Sequence, residues 1–119
     1  MSAVVLLVED EALVRAFAAD VLEEAGFEVV EAPSADYAIL VLDRRSDVMI
    51  VFTDVEMPGQ LDGLDLARFV HGHYPGIRIM IASGRARPTA GDFPTGAIFF
   101  PKPYASETLI SACRQFAAL

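Results

Sequence analysis

Two short apolar runs in this chain end in acidic residues. The run 4–8 is followed by Glu9 and Asp10, and the run 48–52 is followed, after one threonine, by Asp54. Runs of this length that are rich in valine and isoleucine are typical of strands buried on both faces of a parallel sheet. In α/β folds, ligands bind at the edge formed by the carboxyl ends of such strands. The two runs therefore constrain the chain to a parallel α/β fold with an acidic site at that edge.

Strand and helix patterns alternate along the whole chain. The five predicted strands cover residues 4–8, 28–32, 48–53, 77–82 and 97–100. The predicted helices begin near residues 11, 34, 64 and 106 and end near residues 25, 45, 73 and 118. Such alternation produces a parallel sheet with right-handed crossovers and helices on both faces. We therefore predict a single domain over residues 1–119, an α/β, flavodoxin-like, doubly wound sheet of five strands in the order 2-1-3-4-5.

Local signals add detail to the helices. The first helix is expected to have one apolar face opposite a charged one. The apolar face contains Leu13, Phe17 and Val21, with Val14, Ala18, Leu22 and Ala25 beside them. Ser34 is expected to cap the second helix through its hydroxyl group. Between residues 85 and 96, glycine and proline are frequent where a fourth of five helices would fall. We therefore expect that helix to be shortened or missing.

Composition and charge exclude several classes of protein. The net charge of −8 argues against direct binding of nucleic acid, whose phosphates would be repelled. No apolar stretch approaches the ~20 residues needed to cross a membrane, and the first apolar run lacks the length and basic flank of a signal peptide. The single cysteine, Cys113, cannot form an internal disulfide, which suits a reducing cytoplasm. It lies among apolar residues of the last helix, where we expect it to be buried.

The predicted strand order gathers several polar side chains at one edge of the sheet. Strand three lies between strands one and four, so the interstrand spacing places Asp54 about 5 Å from Glu9 and Asp10 on one side and about 5 Å from Ser83 on the other. Lys102, the single lysine of the chain, follows strand five. Its backbone is expected about 10 Å from Asp54, a gap that its long side chain largely crosses.

The chemistry of these residue types indicates a cation and a phosphoryl group. Three carboxylates this close raise one another's pKa unless a cation neutralises them. Ligands that are all oxygen favour Mg²⁺ or Mn²⁺ over zinc. An aspartate carboxylate is a known phosphoryl nucleophile, and the metal would screen Asp54 from the incoming phosphate. Lys102 and Ser83 would then supply a positive charge and a hydrogen bond to phosphoryl oxygens.

Five motifs, each on the expected element, closely resemble the receiver domain of bacterial two-component response regulators. They are Glu9-Asp10, the stretch TDVEMPG at 53–59, Asp62-Gly63, Ser83-Gly84 and Lys102-Pro103. The resemblance implies that Asp54 accepts a phosphoryl group from a phosphohistidine on a sensor kinase. It also implies that Glu9, Asp10 and Asp54, with the backbone carbonyl of Glu56, bind Mg²⁺.

The same resemblance assigns roles near the phosphoryl group. Ser83 and Lys102 contact its oxygens, and Pro103 follows a cis peptide bond. Ser83 and Phe99 act as switch residues, although Phe99 lacks the hydroxyl group of the more usual tyrosine. Two further departures are a loop one residue longer after Pro58 and the shortened fourth helix. Phe99 and the shortened helix both affect the usual output surface of such domains, which the fourth helix, fifth strand and fifth helix form, so the resemblance does not establish that surface here.

The partners implied are a sensor histidine kinase or phosphotransfer protein and an unnamed downstream protein target, with no nucleic acid or membrane contacted directly. We expect a cytoplasmic receiver without an output domain, and no enzyme activity beyond self-catalysed phosphoryl transfer and autodephosphorylation. Two alternatives stay open. One is a receiver-like interaction module that is never phosphorylated. The other is an aspartyl-phosphate phosphatase, which Asp54-Val55-Glu56 superficially resembles. Glu9 and Asp10 also have a simpler interpretation, as acids that cap the first helix.

Overall fold

The chain folds as alternating strands and helices. The computed structural model describes residues 2–85 and 93–118. The elements in that part of the chain are β1 (Val4–Val8), α1 (Ala12–Glu24), β2 (Glu28–Ala32), α2 (Ala35–Arg44), β3 (Val48–Asp54), α3 (Gly63–His73), β4 (Arg78–Ser83), β5 (Ile98–Pro101) and α4 (Ser106–Ala117). The predicted boundaries of the strands agree with these to within one residue. The prediction of a shortened or missing helix covers residues 85–96, of which residues 86–92 lie outside the described residues.

The sheet has the predicted topology. Its strands lie in the order β2-β1-β3-β4-β5, and every neighbouring pair is parallel. This confirms the doubly wound arrangement, in which the order reverses between β1 and β3 and opens a crevice at their carboxyl ends. The Ser34 hydroxyl accepts a hydrogen bond from the Tyr37 amide at 3.1 Å, which confirms the predicted cap of α2.

Helices cover both faces of the sheet, so alternate residues of each central strand enter different halves of the core. Along β1, Leu6 packs in the half that contains α2 and α3, whereas Leu7 packs in the half that contains α1 and α4. Cys113 lies fully buried in the second half, as predicted. Such two-sided burial explains why the strands read as continuous apolar runs rather than alternating ones.

The predicted apolar face of α1 is only partly buried. Leu13 is 87% exposed and Phe17 is 67% exposed, while the stripe of Ala18, Ala19 and Leu22 is buried against the sheet. The small alanine side chains let the helix backbone approach the strands closely. The larger apolar residues lie on a neighbouring stripe of the same helix and remain in solvent. Val21 and Ala25, which belong to the same predicted face, are partly buried.

Candidate functional site

Strand register brings four of the predicted site residues to one edge of the sheet. Val8 pairs with Thr53, so Glu9 follows β1 at the level where Asp54 ends β3. Asp54 pairs in turn with Ala82, the residue before Ser83. Ser83 pairs with Pro101, and the amide of Lys102 donates a hydrogen bond to the Ser83 carbonyl at 2.8 Å. The topology therefore converts distant sequence positions into neighbours.

The first feature of the site is a cluster of three carboxylates. One oxygen from each of Glu9, Asp10 and Asp54 lies within 4.8 Å of the others. Glu9 and Asp54 are buried, at 5% and 7% exposure. The second oxygen of Glu9, Oε2, accepts a hydrogen bond from the Glu11 amide at 3.1 Å, so this residue also supports the start of α1. This bond holds the residue before α1, a helix that has no side-chain cap, and it leaves the clustering of three acids unexplained.

Lys102 completes the cluster. Its Nζ lies 3.0 Å from Asp54 Oδ1 and 3.4 Å from Glu9 Oε1. The approach to Asp54 is close enough for an ion pair but is not aligned as a hydrogen bond, and Asp54 Oδ1 has no hydrogen-bond partner among the described residues. The peptide bond between Lys102 and Pro103 is cis, as predicted. The lysine side chain therefore does cross from β5 to the acid cluster.

Burial and neighbouring charges shift the pKa values of Asp54, Glu9 and Lys102. Burial raises the pKa of Asp54 above its ordinary value, and Lys102 only partly opposes that effect. Burial likewise raises the pKa of Glu9, with a further upward contribution from Asp54. Burial lowers the pKa of Lys102, but its attraction to Asp54 and Glu9 outweighs this and the net shift is upward. The cluster therefore carries more negative charge than the one ammonium group balances, which favours a bound cation.

Glu56 and Ser83 form a second, separate arrangement beside the cluster. The Ser83 hydroxyl donates to Glu56 Oε2 at 2.5 Å, and the Gly84 amide donates to Glu56 Oε1 at 3.0 Å. Partial burial raises the pKa of Glu56, but the hydrogen bonds from Ser83 and Gly84 help to bring the net shift below the ordinary value. All these residues except Ser83 line an open cleft of about 610 Å³ together with Asp54 and Lys102. The cleft has room for a phosphoryl group on Asp54.

Phe99 packs in the half of the core that contains α2 and α3. Its ring is partly buried and stacks on Phe93, with ring centroids 6.2 Å apart and an interplanar angle of 18°. Its neighbour Phe100 is buried on the opposite side of the sheet, edge-on to Phe52 at 6.0 Å. The position of Phe99 one residue before Phe100 on β5 is compatible with a switch role, which stays a prediction.

Two further residues support the site, Arg15 and Gly63, and only Gly63 has a signal in the sequence. Arg15 donates from Nη1 to the Glu9 carbonyl at 2.7 Å and from Nε to Glu31 at 3.1 Å, so it fixes the loop that carries the acids. Gly63 packs directly on the backbone of Asp54, where a side chain would not fit. Arg15 gives no sequence signal, because its contacts depend on the loop conformation. The Asp-Gly pair at a helix start was a signal for Gly63.

The fold and the acid cluster define the class of protein. Residues 5–114 match the response regulator receiver domain, and the chain belongs to that family. It is a receiver domain of two-component systems, a signalling module, and Glu9, Asp10 and Asp54 fit the phosphoacceptor site of such domains. Within the described residues, no helix combines the length and apolar character required to span a membrane.

Individual relatives illustrate the similarity. The chain is 36% identical over 118 residues to the sensor kinase CckA of Brucella abortus (strain 2308), a match that covers 96% of this chain and 12% of that protein. It is 30% identical over 110 residues to the response regulator receiver protein CpdR of the same organism, covering 90% of each. The crystal structure of a response regulator receiver protein from Sinorhizobium medicae WSM419 has a TM-score of 0.92 at 30% identity, covering 98% of this chain and 95% of that one. The chain spans less than half the length of the first relatives matched.

Proposed function

We propose that Asp54 is the phosphoacceptor of this receiver domain and that Mg²⁺ is required for the reaction. The observation that carries the proposal is the position of the Asp54 carboxylate, which lines the open cleft with Lys102 Nζ 3.0 Å from its Oδ1 and with Glu9 and Asp10 beside it. A phosphoryl donor can reach this carboxylate from the cleft, where the Lys102 ammonium group offsets negative charge on the transferred group. In the proposed step, this carboxylate attacks the phosphorus of a phosphohistidine, the phosphorus–nitrogen bond breaks, and the imidazole leaves and takes up a proton.

The residues present fit a magnesium ion. Glu9, Asp10 and Asp54 offer closely spaced carboxylate oxygens and no sulfur or nitrogen ligand, and the backbone carbonyl of Glu56 is the further ligand we propose. A bound Mg²⁺ (or Mn²⁺) supplies positive charge that offsets the charge on the acids and on the transferred group. Lys102 supplies a second positive charge from β5, and Ser83 supplies a hydroxyl donor once its bond to Glu56 is released.

The proposal predicts that Mg²⁺ stabilises the folded protein. At a free concentration of about ten times the dissociation constant, one bound ion adds ~1.4 kcal/mol to the free energy of unfolding. For a domain of this size, that is a rise of roughly 5 °C in the thermal midpoint. Because the pKa values of Glu9 and Asp54 are raised, protons compete with the metal at a higher pH than for ordinary carboxylates. The stabilisation is therefore expected to fall as the pH is lowered through those raised values.

Thermal melts with and without MgCl₂ measure this effect. Asp10→Asn is expected to lose most of the gain, while Asp20→Asn, which removes an exposed acid from α1, is expected to keep it. An equal gain in both variants, or none in the wild-type protein, would contradict the proposed metal site.

We further propose that the protein donor of the phosphoryl group, a sensor histidine kinase or a phosphotransfer protein, docks on the exposed apolar side of α1. Leu13 and Phe17 project from this helix, and an apolar cavity of about 500 Å³ lies beside it, between Phe17, Tyr104 and Leu109. The cavity and the phosphoacceptor cleft share Glu11 and Lys102. A donor that presents a phosphohistidine to Asp54 therefore has this surface within reach, and apolar anchors of this kind dominate binding energy.

The docking proposal predicts a difference between two kinds of donor. Phe17→Ala is expected to slow transfer from a phosphorylated protein donor by about 10–30-fold, the effect of losing one apolar anchor, and to leave transfer from acetyl phosphate unchanged. Phosphotransfer profiling against a panel of sensor kinases supplies the donor. Leu40→Ala is the matched control, because Leu40 is similarly exposed, at 58%, on α2. Equal slowing with acetyl phosphate would place the effect of Phe17 in the site itself.

The proposal also includes the extent of the domain, its location in the cell, its output and its limited enzymatic activity. Residues 1–119 form a single receiver domain, which works in the cytoplasm, where the thiol of Cys113 stays reduced. Phosphorylation shifts its conformation and thereby its binding to a downstream protein target. The reaction at Asp54 is a self-catalysed transfer followed by autodephosphorylation, with no turnover of other phosphate esters. The acid cluster around Lys102 favours this function over an interaction module that is never phosphorylated.

A further inference from the structure

The end of β4 and the residue after it present hydrogen-bond donors to a single carboxylate. The Ser83 hydroxyl and the Gly84 amide donate to the two oxygens of Glu56, at 2.5 and 3.0 Å, and the Arg85 amide donates to the Ser83 hydroxyl oxygen at 3.3 Å. Converging hydroxyl and amide donors of this type form an anion-binding site. In this structure, the anion in that site is the protein's own Glu56 side chain.

The same cleft contains the phosphoacceptor. Asp54, Glu56, Gly84 and Lys102 all line it. A phosphoryl group on Asp54 carries a charge of about −1.5 to −2 and has three acceptor oxygens, so it is the stronger acceptor for nearby donors. It would also repel the Glu56 carboxylate. The two anions therefore compete for one set of donors.

We propose that Glu56 is a positioning residue that occupies the donors of the β4 loop until a phosphoryl group displaces it. The inference rests on the proposed role of Asp54 and deepens it, because it assigns to Glu56 the control of Ser83. In the unphosphorylated protein, Glu56 holds the Ser83 hydroxyl and the loop backbone. On phosphorylation, Ser83 and the loop turn to the phosphoryl oxygens and Glu56 moves into solvent. Breaking the hydrogen bonds of Glu56 offsets part of the free energy that the phosphoryl group gains from these donors.

The competition has a measurable consequence for a phosphoryl analogue. Beryllofluoride, added with Mg²⁺, is the probe, and fluorine NMR reports its bound fraction. Glu56→Ala removes both acceptor oxygens and is expected to tighten binding about tenfold, which corresponds to one charge-assisted hydrogen bond. Glu56→Gln keeps one acceptor oxygen and is expected to give about a threefold gain. Glu23→Ala, which removes an exposed acid near the end of α1, is the control for net charge and is expected to give no gain.

A Ser83→Ala background separates competition for donors from simple charge repulsion. If Glu56 acts through Ser83, the gain from Glu56→Ala is expected to fall to less than half of its original factor in that background. In the protein that keeps Ser83, the gain from Glu56→Ala is also expected to persist in 0.5 M salt, because the hydrogen bonds are partly buried. Equal gains for Glu56→Ala and Glu56→Gln that vanish in high salt would overturn the inference in favour of charge repulsion.

Titration of the wild-type protein with beryllofluoride distinguishes a failure of the Glu56 proposal from a failure of the proposed function. Wild-type protein that binds the analogue, with no gain in Glu56→Ala, contradicts the role of Glu56 alone. Wild-type protein that binds no beryllofluoride in the presence of Mg²⁺ contradicts the proposed function, and this inference with it.

Discussion

Replacement Asp54→Asn is expected to reduce phosphoryl uptake by at least about a thousandfold, because an amide is a far weaker nucleophile than a carboxylate. The measurement is the mass increment of the intact protein after incubation with acetyl phosphate and Mg²⁺. Asp20→Asn is the control, since it makes the same chemical change at an exposed aspartate on α1. Labelling of Asp54→Asn at the wild-type rate would move the phosphoacceptor to another residue.

The same substitution is expected to raise stability when no metal is present. Burial raises the pKa of Asp54 above 3.8, so the native state binds its proton more tightly than the unfolded state does. The stability gained from that proton is present below the unfolded pKa and is lost as the pH rises through the folded pKa. At pH 7, the ionised Asp54 therefore weakens the fold, and Asp54→Asn is expected to melt roughly a few degrees higher. Below about pH 4 the difference is expected to shrink, and Mg²⁺ is expected to favour the wild type.

The positions of the acids and of Lys102 could be predicted because they follow from strand order alone. Continuous apolar runs identify buried parallel strands, and a parallel sheet brings their carboxyl ends to one edge. Once β1, β3 and β5 are assigned, the proximity of Glu9, Asp54 and Lys102 is a matter of interstrand spacing. A sequence from which the strand order can be predicted therefore also predicts which of these residues lie together in the site.

The side-chain contacts around the acids could not be predicted in the same way. The apolar pattern of α1 contains two adjacent stripes, and hydrophobic periodicity does not say which of them packs on the sheet. Alanine residues occupy the buried stripe because the helix lies close to the strands, which leaves Leu13 and Phe17 exposed. The hydrogen bonds from Ser83 and Gly84 to Glu56 depend on the conformations of the loops after β3 and β4. Neither loop has a periodic sequence pattern from which its conformation could be predicted.

Gly63 shows how closely the fold and the site depend on each other. It is the first residue of α3, and its amide donates to the Val55 carbonyl at 3.0 Å. A Cβ atom at this position would lie 2.7 Å from the carbonyl carbon of Asp54 and 2.9 Å from the Cα of Val55, and closer still to the Asp54 carbonyl oxygen. These are backbone atoms, so the clash cannot be relieved by a change of side-chain rotamer. The helix must move away from β3, or the end of β3 must shift.

Gly63→Ala is therefore expected to lower the free energy of unfolding by about 3 kcal/mol or more, at the upper end of overpacking effects. Urea unfolding monitored by circular dichroism measures the loss. Gly72→Ala, in the same helix with open space around its Cβ, is expected to add about 0.5–1 kcal/mol instead. Because the clash falls on the backbone of Asp54, Gly63→Ala is also expected to reduce the stabilisation by Mg²⁺, which Gly72→Ala keeps. If Gly63→Ala matched the wild type in both measurements, the backbone of β3 at Asp54 could not be as close to α3 as the structure places it.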